Sequence, residues 1–249
     1  MYYLLFFVFF INKGVIFSVS FVVFKKNSTF VAKLKIMSTI KESPYTAAIT
    51  GGGFLFTETN ALLPLLQSAD REALLKDEKL NNRLLKINAE TSRNRAIAEI
   101  ARRYDAMPAS FWEDYKVMNE DDQQIALFFV ILKTYKICFD FHINVTMRKW
   151  NSISKSLVYD DIEMEFNEVS ARDEFVDSWS DKTKRKVASA YLTVLRKVGI
   201  LDKDDNLRPL SASNFDYYIT NGEQWFLEAC LLQPYQISSI RNQINQNNP

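Results

Sequence analysis

The residues best placed to do chemistry crowd between Trp179 and Arg208, where Lys182, Lys184, Arg185, Lys186, Arg196, Lys197, Lys203 and Arg208 stand with the hydroxyls of Ser189 and Thr193. Nothing among them pairs a nucleophile with a base. What such side chains do together is hold phosphate, through charge from ammonium and guanidinium groups and short donors from hydroxyls. Residues 179–208 carry 8 basic and 4 acidic side chains, net +4, in a chain whose 31 basic and 30 acidic residues nearly balance. Positive charge is thus segregated into one segment, although the whole chain announces no polyanionic partner.

Spacing turns that composition into a surface. Ser180 is a good helix N-cap and Gly199 stands where a C-cap glycine belongs, so a helix of about eighteen residues is predicted between them. At 100° per residue, Lys182, Arg185, Lys186, Ser189, Thr193, Arg196 and Lys197 share an arc of about 120°. Val187, Ala188, Tyr191, Val194, Leu195 and Val198 fall opposite, and only Lys184 and Leu192 blur the division. A helix with one core face and one cationic, hydroxylic face suits the DNA major groove. If about six cations met phosphates, counterion release would give a salt slope near −5. Ile200-Leu201, the charged turn Asp202 to Asn206 and Leu207-Arg208-Pro209 then predict a short hairpin, giving winged-helix proportions with Lys203 and Arg208 on the wing. The plainer alternative is a solvated outer face, or a winged helix used for protein–protein contact.

A second basic stretch, Arg93 to Arg103, has net charge +3. Helical spacing sets Ile97, Ile100, Ala101 and Tyr104 on one side and Arg95, Arg102 and Arg103 with Glu99 on the other. Arg93, Arg95, Arg102 and Arg103 are therefore further candidate nucleic-acid contacts, with an Arg95–Glu99 i,i+4 pair on a solvated helix as the alternative.

Other reactive types are sparse. The chain has 1 His and 2 Cys, and His142, Cys138 and Cys230 have no spacing that builds a zinc, haem or iron–sulfur site, so no metal, cofactor or catalytic residue is assigned. Two thiols form no disulfide framework, which suits a reducing compartment. His142 between Phe141 and Ile143 reads as a buried, satisfied imidazole. Gly51-Gly52-Gly53 lacks the Gly-Lys-Ser/Thr ending of a P-loop and reads as close backbone packing at a helix start. Asp160, Asp161, Glu163 and Glu165 read as a solvated face rather than paired catalytic carboxylates. Trp112, Trp150, Trp179 and Trp225 read as core anchors.

The elements that must position the basic face are almost all helical by period. Of 249 residues, 47% are hydrophobic and 24% charged, with 6 Gly and 6 Pro, which excludes disordered and collagenous chains. Helices are predicted at 54–67, kinked or broken at Pro64, at 122–139 as the central core helix, and at 159–172. Residues 2–24 contain two apolar runs followed by lysines, long enough to span a bilayer. The other reading treats 1–36 as an upstream extension with Met37 as the start; the body then keeps 26 basic against 30 acidic residues, net −4, since five lysines are removed. The body divides into an N-terminal helical domain, 37–155, and a winged-helix-like C-terminal domain, 156–242, with a soft boundary at 150–158 and a frayed polar tail at 243–249.

Ser43-Pro44-Tyr45-Thr46, Thr50-Gly51-Gly52-Gly53, Glu58-Thr59, the Arg93 to Tyr104 helix and Trp179-Ser180 through Gly199-Ile200-Leu201 together resemble the BrxA family of BREX, the bacteriophage-exclusion systems, over about residues 43–240. The resemblance implies a cytoplasmic, non-enzymatic defence component that binds double-stranded DNA, with an RNA-binding bundle like NusB and a scaffold for larger BREX proteins as rival roles. It supplies no catalytic residues, and the extension before Met37 departs from it.

Overall fold

The computed structural model describes residues 42–247. A 3-10 turn, Ala48–Gly51, leads into α1 (Phe56–Leu66), α2 (Arg71–Asn81) and α3 (Glu90–Asp105). These three helices pack on one another around Leu62, Leu66, Leu75, Leu85, Ile97 and Ile100. Next come α4 (Ala109–Val117), α5 (Glu120–Thr134), α6 (Lys136–Phe141), a π-helical turn His142–Thr146 and α7 (Met147–Trp150). The remainder is α8 (Tyr159–Arg172), α9 (Glu174–Asp177), α10 (Asp181–Val198), α11 (Phe215–Thr220), α12 (Trp225–Ala229) and α13 (Pro234–Asn247). The protein is mostly α, and the described residues hold only isolated β-bridges.

α5 is the central helix because its sequence is apolar on every side. Ile125 through Leu132 are all buried, and Asn119 caps its start by accepting the Asp122 amide. The helix predicted over 122–139 is interrupted, however. Tyr135 adopts an extended backbone between α5 and α6, and its hydroxyl accepts from Arg103 and donates to Glu99 in the interior. That buried polar demand overrides helical periodicity. Pro64 lies inside α1 without ending it. α8 follows its predicted span, whereas α13 continues through the predicted frayed tail to Asn247.

Two of the four acidic residues assigned to a solvated α8 face are buried. Asp161 pairs with Lys149 at 2.6 Å and accepts the Val158 amide, and Glu165 accepts from Asn144 and lies beside Arg172. Asp160 and Glu163 do face solvent. Trp112 is fully buried, while Trp150, Trp179 and Trp225 are half-buried against the core.

One apolar cluster runs from Tyr45 to Ile237, and Pro44–Pro249 forms a single compact unit. The cluster passes through the segment expected to be a boundary, with Leu157 fully buried. Three short stretches meet through isolated antiparallel bridges: Ser156 bridges Asn206, and Leu201 bridges Leu207. Their spatial order is therefore 155–157, 206–208, 200–202.

Among the described residues no helix is long and apolar enough to cross a membrane. Residues 1–36, with the candidate span 2–24, lie outside them.

Candidate nucleic-acid interface

α10 forms where its caps predict. The Ser180 hydroxyl accepts the Thr183 amide at 3.3 Å, and Gly199 takes the left-handed conformation, φ 92°, that ends the helix with little strain. Val187, Ala188, Tyr191, Leu192, Val194, Leu195 and Val198 are buried, packed towards α5 and α8. Lys182, Arg185, Lys186, Ser189, Thr193, Arg196 and Lys197 are all exposed, as are Lys203 and Arg208 beyond the helix, and Lys184 is half-buried. Leu192 joins the core and Lys184 donates to the Ser170 hydroxyl at 3.0 Å, which settles the two positions that blurred the division.

The candidate cations are not equivalent. Among the described residues, Lys182, Lys186, Lys197 and Lys203 take part in no salt bridge or side-chain hydrogen bond, leaving their ammonium groups to solvent or a ligand. Arg196 instead donates to Asp205 at 2.6 Å. Arg208 donates through Nε and Nη2 to Asp202 Oδ2 at 3.0 and 2.8 Å, while the other oxygen of Asp202 accepts the amides of Asp204 and Asn206. Those amides lead, with Arg208 assisting, in holding the Asp202 carboxyl below the usual carboxylate range. Arg196 of α10 and Arg208 of the hairpin are thus both paired with carboxylates of the turn.

On α3 the structure separates the four arginines. Arg95 and Arg102 are exposed, Arg102 lying 3.6 Å from Glu99. Arg93 and Arg103 are 7% and 0% exposed and are removed from the candidate surface. Arg93 donates to the carbonyls of Lys79 and Ile87, tying α3 to the end of α2. Arg103 donates to the Tyr135 hydroxyl and to the carbonyls of Gly53 and Phe54. A buried guanidinium is tolerable only with its donors engaged, so neither can leave to meet a phosphate. Helical spacing already marks Arg93, which precedes Ile97 by four and Ile100 by seven and so shares their buried side. Arg103 carries no comparable signal, because its partners come from distant chain. Glu99 is buried as well, accepting from Tyr135 rather than pairing with Arg95.

Sequence reasoning missed the opposite wall of the site. The 3-10 turn packs between α3 and α10, and Thr50 shares a depression of about 640 Å3 with Asp181, Lys182, Arg185, Lys186, Ser189 and Ala190. Farther along α10, Thr193 and Lys197 face Gly52 through Glu58 and Gln124 across a second depression of about 490 Å3. Two depressions thus lie along the polar face of α10. Three cations and two hydroxyls against one carboxylate in the first depression suit a phosphate-type anion.

No cluster of His, Cys, Asp and Glu among the described residues could hold a metal ion. His142 is wholly buried between the Tyr191 hydroxyl at 2.9 Å and the Ala229 carbonyl at 2.7 Å, and burial pushes its pKa down to about 4. The carbonyl requires a proton on Nε2, and the lowered pKa leaves the ring neutral near pH 7, so Nδ1 accepts from Tyr191. Burial pushes the Cys138 thiol up to about 12 and Cys230 well above its ordinary value, leaving two inert thiols.

The sequence model of the BrxA family matches residues 43–214. A relative named "BREX protein BrxA" from Bacillus cereus (strain H3081.97) is 21% identical over 171 residues, 69% of this chain and 86% of the relative. The crystal structure of an uncharacterized protein from Magnetospirillum magneticum has the same fold, with TM-score 0.62 and 21% identity over 76% of this chain and 98% of that one.

Proposed function

The chain belongs to the BrxA family, and from that premise we propose that it serves a BREX bacteriophage-defence system as a cytoplasmic, non-enzymatic component that binds double-stranded DNA through its backbone. The observation that carries this reading is the α10 face: seven polar side chains, five of them cationic, exposed along one capped helix, with Lys182, Lys186 and Lys197 outside any ion pair among the described residues. Lysines and hydroxyls of this kind position a protein on phosphates and carry little base information, so sequence specificity is low.

The winged-helix-like reading gains support from the order of the bridged stretches. Segment 155–157 precedes α8, and α10 leads into 200–202 and 206–208, which pairs with both others. In this reading α10 is the recognition helix and the turn Asp202 to Asn206 is the wing. The wing contributes little net charge, because Arg196 and Arg208 are paired with its own carboxylates; Lys203 is its one contact without such a pair among the described residues. A NusB-like RNA role needs aromatics on which unpaired bases stack; none lines the first depression, whereas Phe54 and Phe56 line the second, so competition between duplex DNA and structured RNA at one salt concentration separates the two roles. Other BREX proteins remain natural partners for the surfaces α10 does not use.

Titrating fluorescent duplex into the full chain at two salt concentrations tests this. Replacing Lys182, Arg185, Lys186 and Lys197 together by Glu is expected to abolish duplex binding while leaving the melting temperature in place. Binding unchanged by that replacement ends the α10 reading. Lost binding with intact phage protection would favour a scaffold.

A further inference from the structure

We propose that the 3-10 turn Ala48–Gly51 and the first half of α10 together form a seat for one backbone phosphate of the duplex, with Lys182, Arg185, Lys186 and Ser189 on one side and Thr50 on the other. This rests on the DNA-binding reading and adds to it an element about 130 residues distant in sequence, to which the charge pattern gives no part.

The seat is built rather than incidental. Gly51 lies so close to α3 that a Cβ there would stand 2.7 Å from Glu99 Cγ. The turn therefore cannot retreat from α10 by resting against α3 with any larger residue. Glu99 is itself fixed by the Tyr135 hydroxyl, and the chain just beyond the turn is fixed where the Gly53 and Phe54 carbonyls accept from buried Arg103. The glycine-rich stretch thus cradles no phosphate by its own amides. It lets the chain run close to α3, so that Thr50 stands at the edge of the basic face. Arg103 touches no ligand and holds the chain that leads from the turn.

The chemistry of the seat selects its occupant. Three cations against Asp181 leave an excess of two positive charges, and Lys182 and Lys186 reach outward without competing partners among the described residues. Lysines act as point charges and arginine adds a planar fork. Ser189 offers a hydroxyl donor. The Thr50 hydroxyl donates to the Ala47 carbonyl at 2.8 Å, an exposed bond from which it can rotate towards a phosphate oxygen. A duplex laid along α10 then has a strand held from both sides.

Full-length Thr50→Glu, Thr50→Ser and Lys186→Glu are compared for duplex affinity, with melting temperature as a check on the fold. A carboxylate placed at the seat is expected to weaken binding at least about fivefold, while Thr50→Ser stays near wild type. If Thr50→Glu binds as tightly as wild type while Lys186→Glu does not, the seat is wrong and the DNA reading survives. If neither changes binding, the duplex lies elsewhere on the protein and the seat is overturned. Should Thr50→Glu melt early, Ser189→Glu gives the same readout from the α10 side. A calorimetric titration with inorganic phosphate separates the source of the ligand: saturable binding that duplex fails to displace would assign the seat to a small phosphate compound and overturn the proposal.

Discussion

The Arg196–Asp205 pair lies at the joint between helix and hairpin, with side chains 44% and 40% exposed. Such a half-exposed pair adds little to stability, but its carboxylate sets how much charge Arg196 offers a phosphate. Asp205→Asn is therefore expected to raise duplex affinity and to steepen the plot of log affinity against log salt by about one unit, because one more cation becomes available. Unchanged slope and affinity would mean that Arg196 faces away from the duplex. His142 gives a prediction of a different kind. Its folded pKa lies near 4 against 6.5 for a free imidazole, because burial disfavours the charged ring. The unfolded chain therefore takes up a proton first as pH falls. Stability from this group is complete above pH 6.5 and is lost progressively towards pH 4, by about 3 kcal/mol in all. Chemical denaturation at pH 7 and pH 5 checks the sign: wild type is expected to lose more stability than His142→Asn over that interval.

Among the elements, α10 was legible from sequence because every determinant of its surface is local. Ser180 and Gly199 supply the caps, the 3.6 period sorts the faces, and Val187, Ala188, Tyr191, Leu192, Val194, Leu195 and Val198 provide the buried side. Ser180→Ala is expected to cost about 1 kcal/mol through loss of the cap, without changing which residues face solvent. α3 was only half legible. Its period identified Ile97 and Ile100 as buried, but a buried arginine is chosen by partners elsewhere in the chain, and neither the Gly53 carbonyl nor the Tyr135 hydroxyl is visible from the helix itself. The interruption at Tyr135 went unseen for the same reason. This division within α3 is testable by melting. Arg103→Met strands the Gly53 and Phe54 carbonyls in the interior and is expected to destabilise by about 3 kcal/mol. Arg95→Glu and Arg102→Glu, at exposed positions, are expected to change stability by less than about 0.5 kcal/mol. Equal losses from Arg103 and Arg95 would mean that burial does not separate their roles.

At the scale of the molecule, composition and period made the helical architecture legible, while the placement of the 3-10 turn beside α10 was not, because it depends on contacts across the chain. The same long-range ties bear on whether residues 37–155 and 156–249 can act separately. His142 uses Tyr191 and Ala229 for both ring nitrogens, Asp122 accepts from the Ser213 amide, and Phe129 packs on Phe226 with ring centroids 4.9 Å apart. Lys155 accepts the Leu207 amide. Dividing the chain at 155 would strand each of these groups, at about 1–3 kcal/mol for every unsatisfied buried polar atom, against a total stability of about 5–15 kcal/mol for a typical domain. Neither fragment is therefore expected to fold alone, and the intact protein should melt in one calorimetric transition. The consequence reaches the DNA site, because α10 is held on one side by α5 and the 3-10 turn, both from the first half. Fragment 156–249 is accordingly expected to bind duplex at least tenfold more weakly than the full chain. Wild-type affinity from that fragment, or two separate melting transitions, would establish an autonomous C-terminal module and remove the first half from the interface.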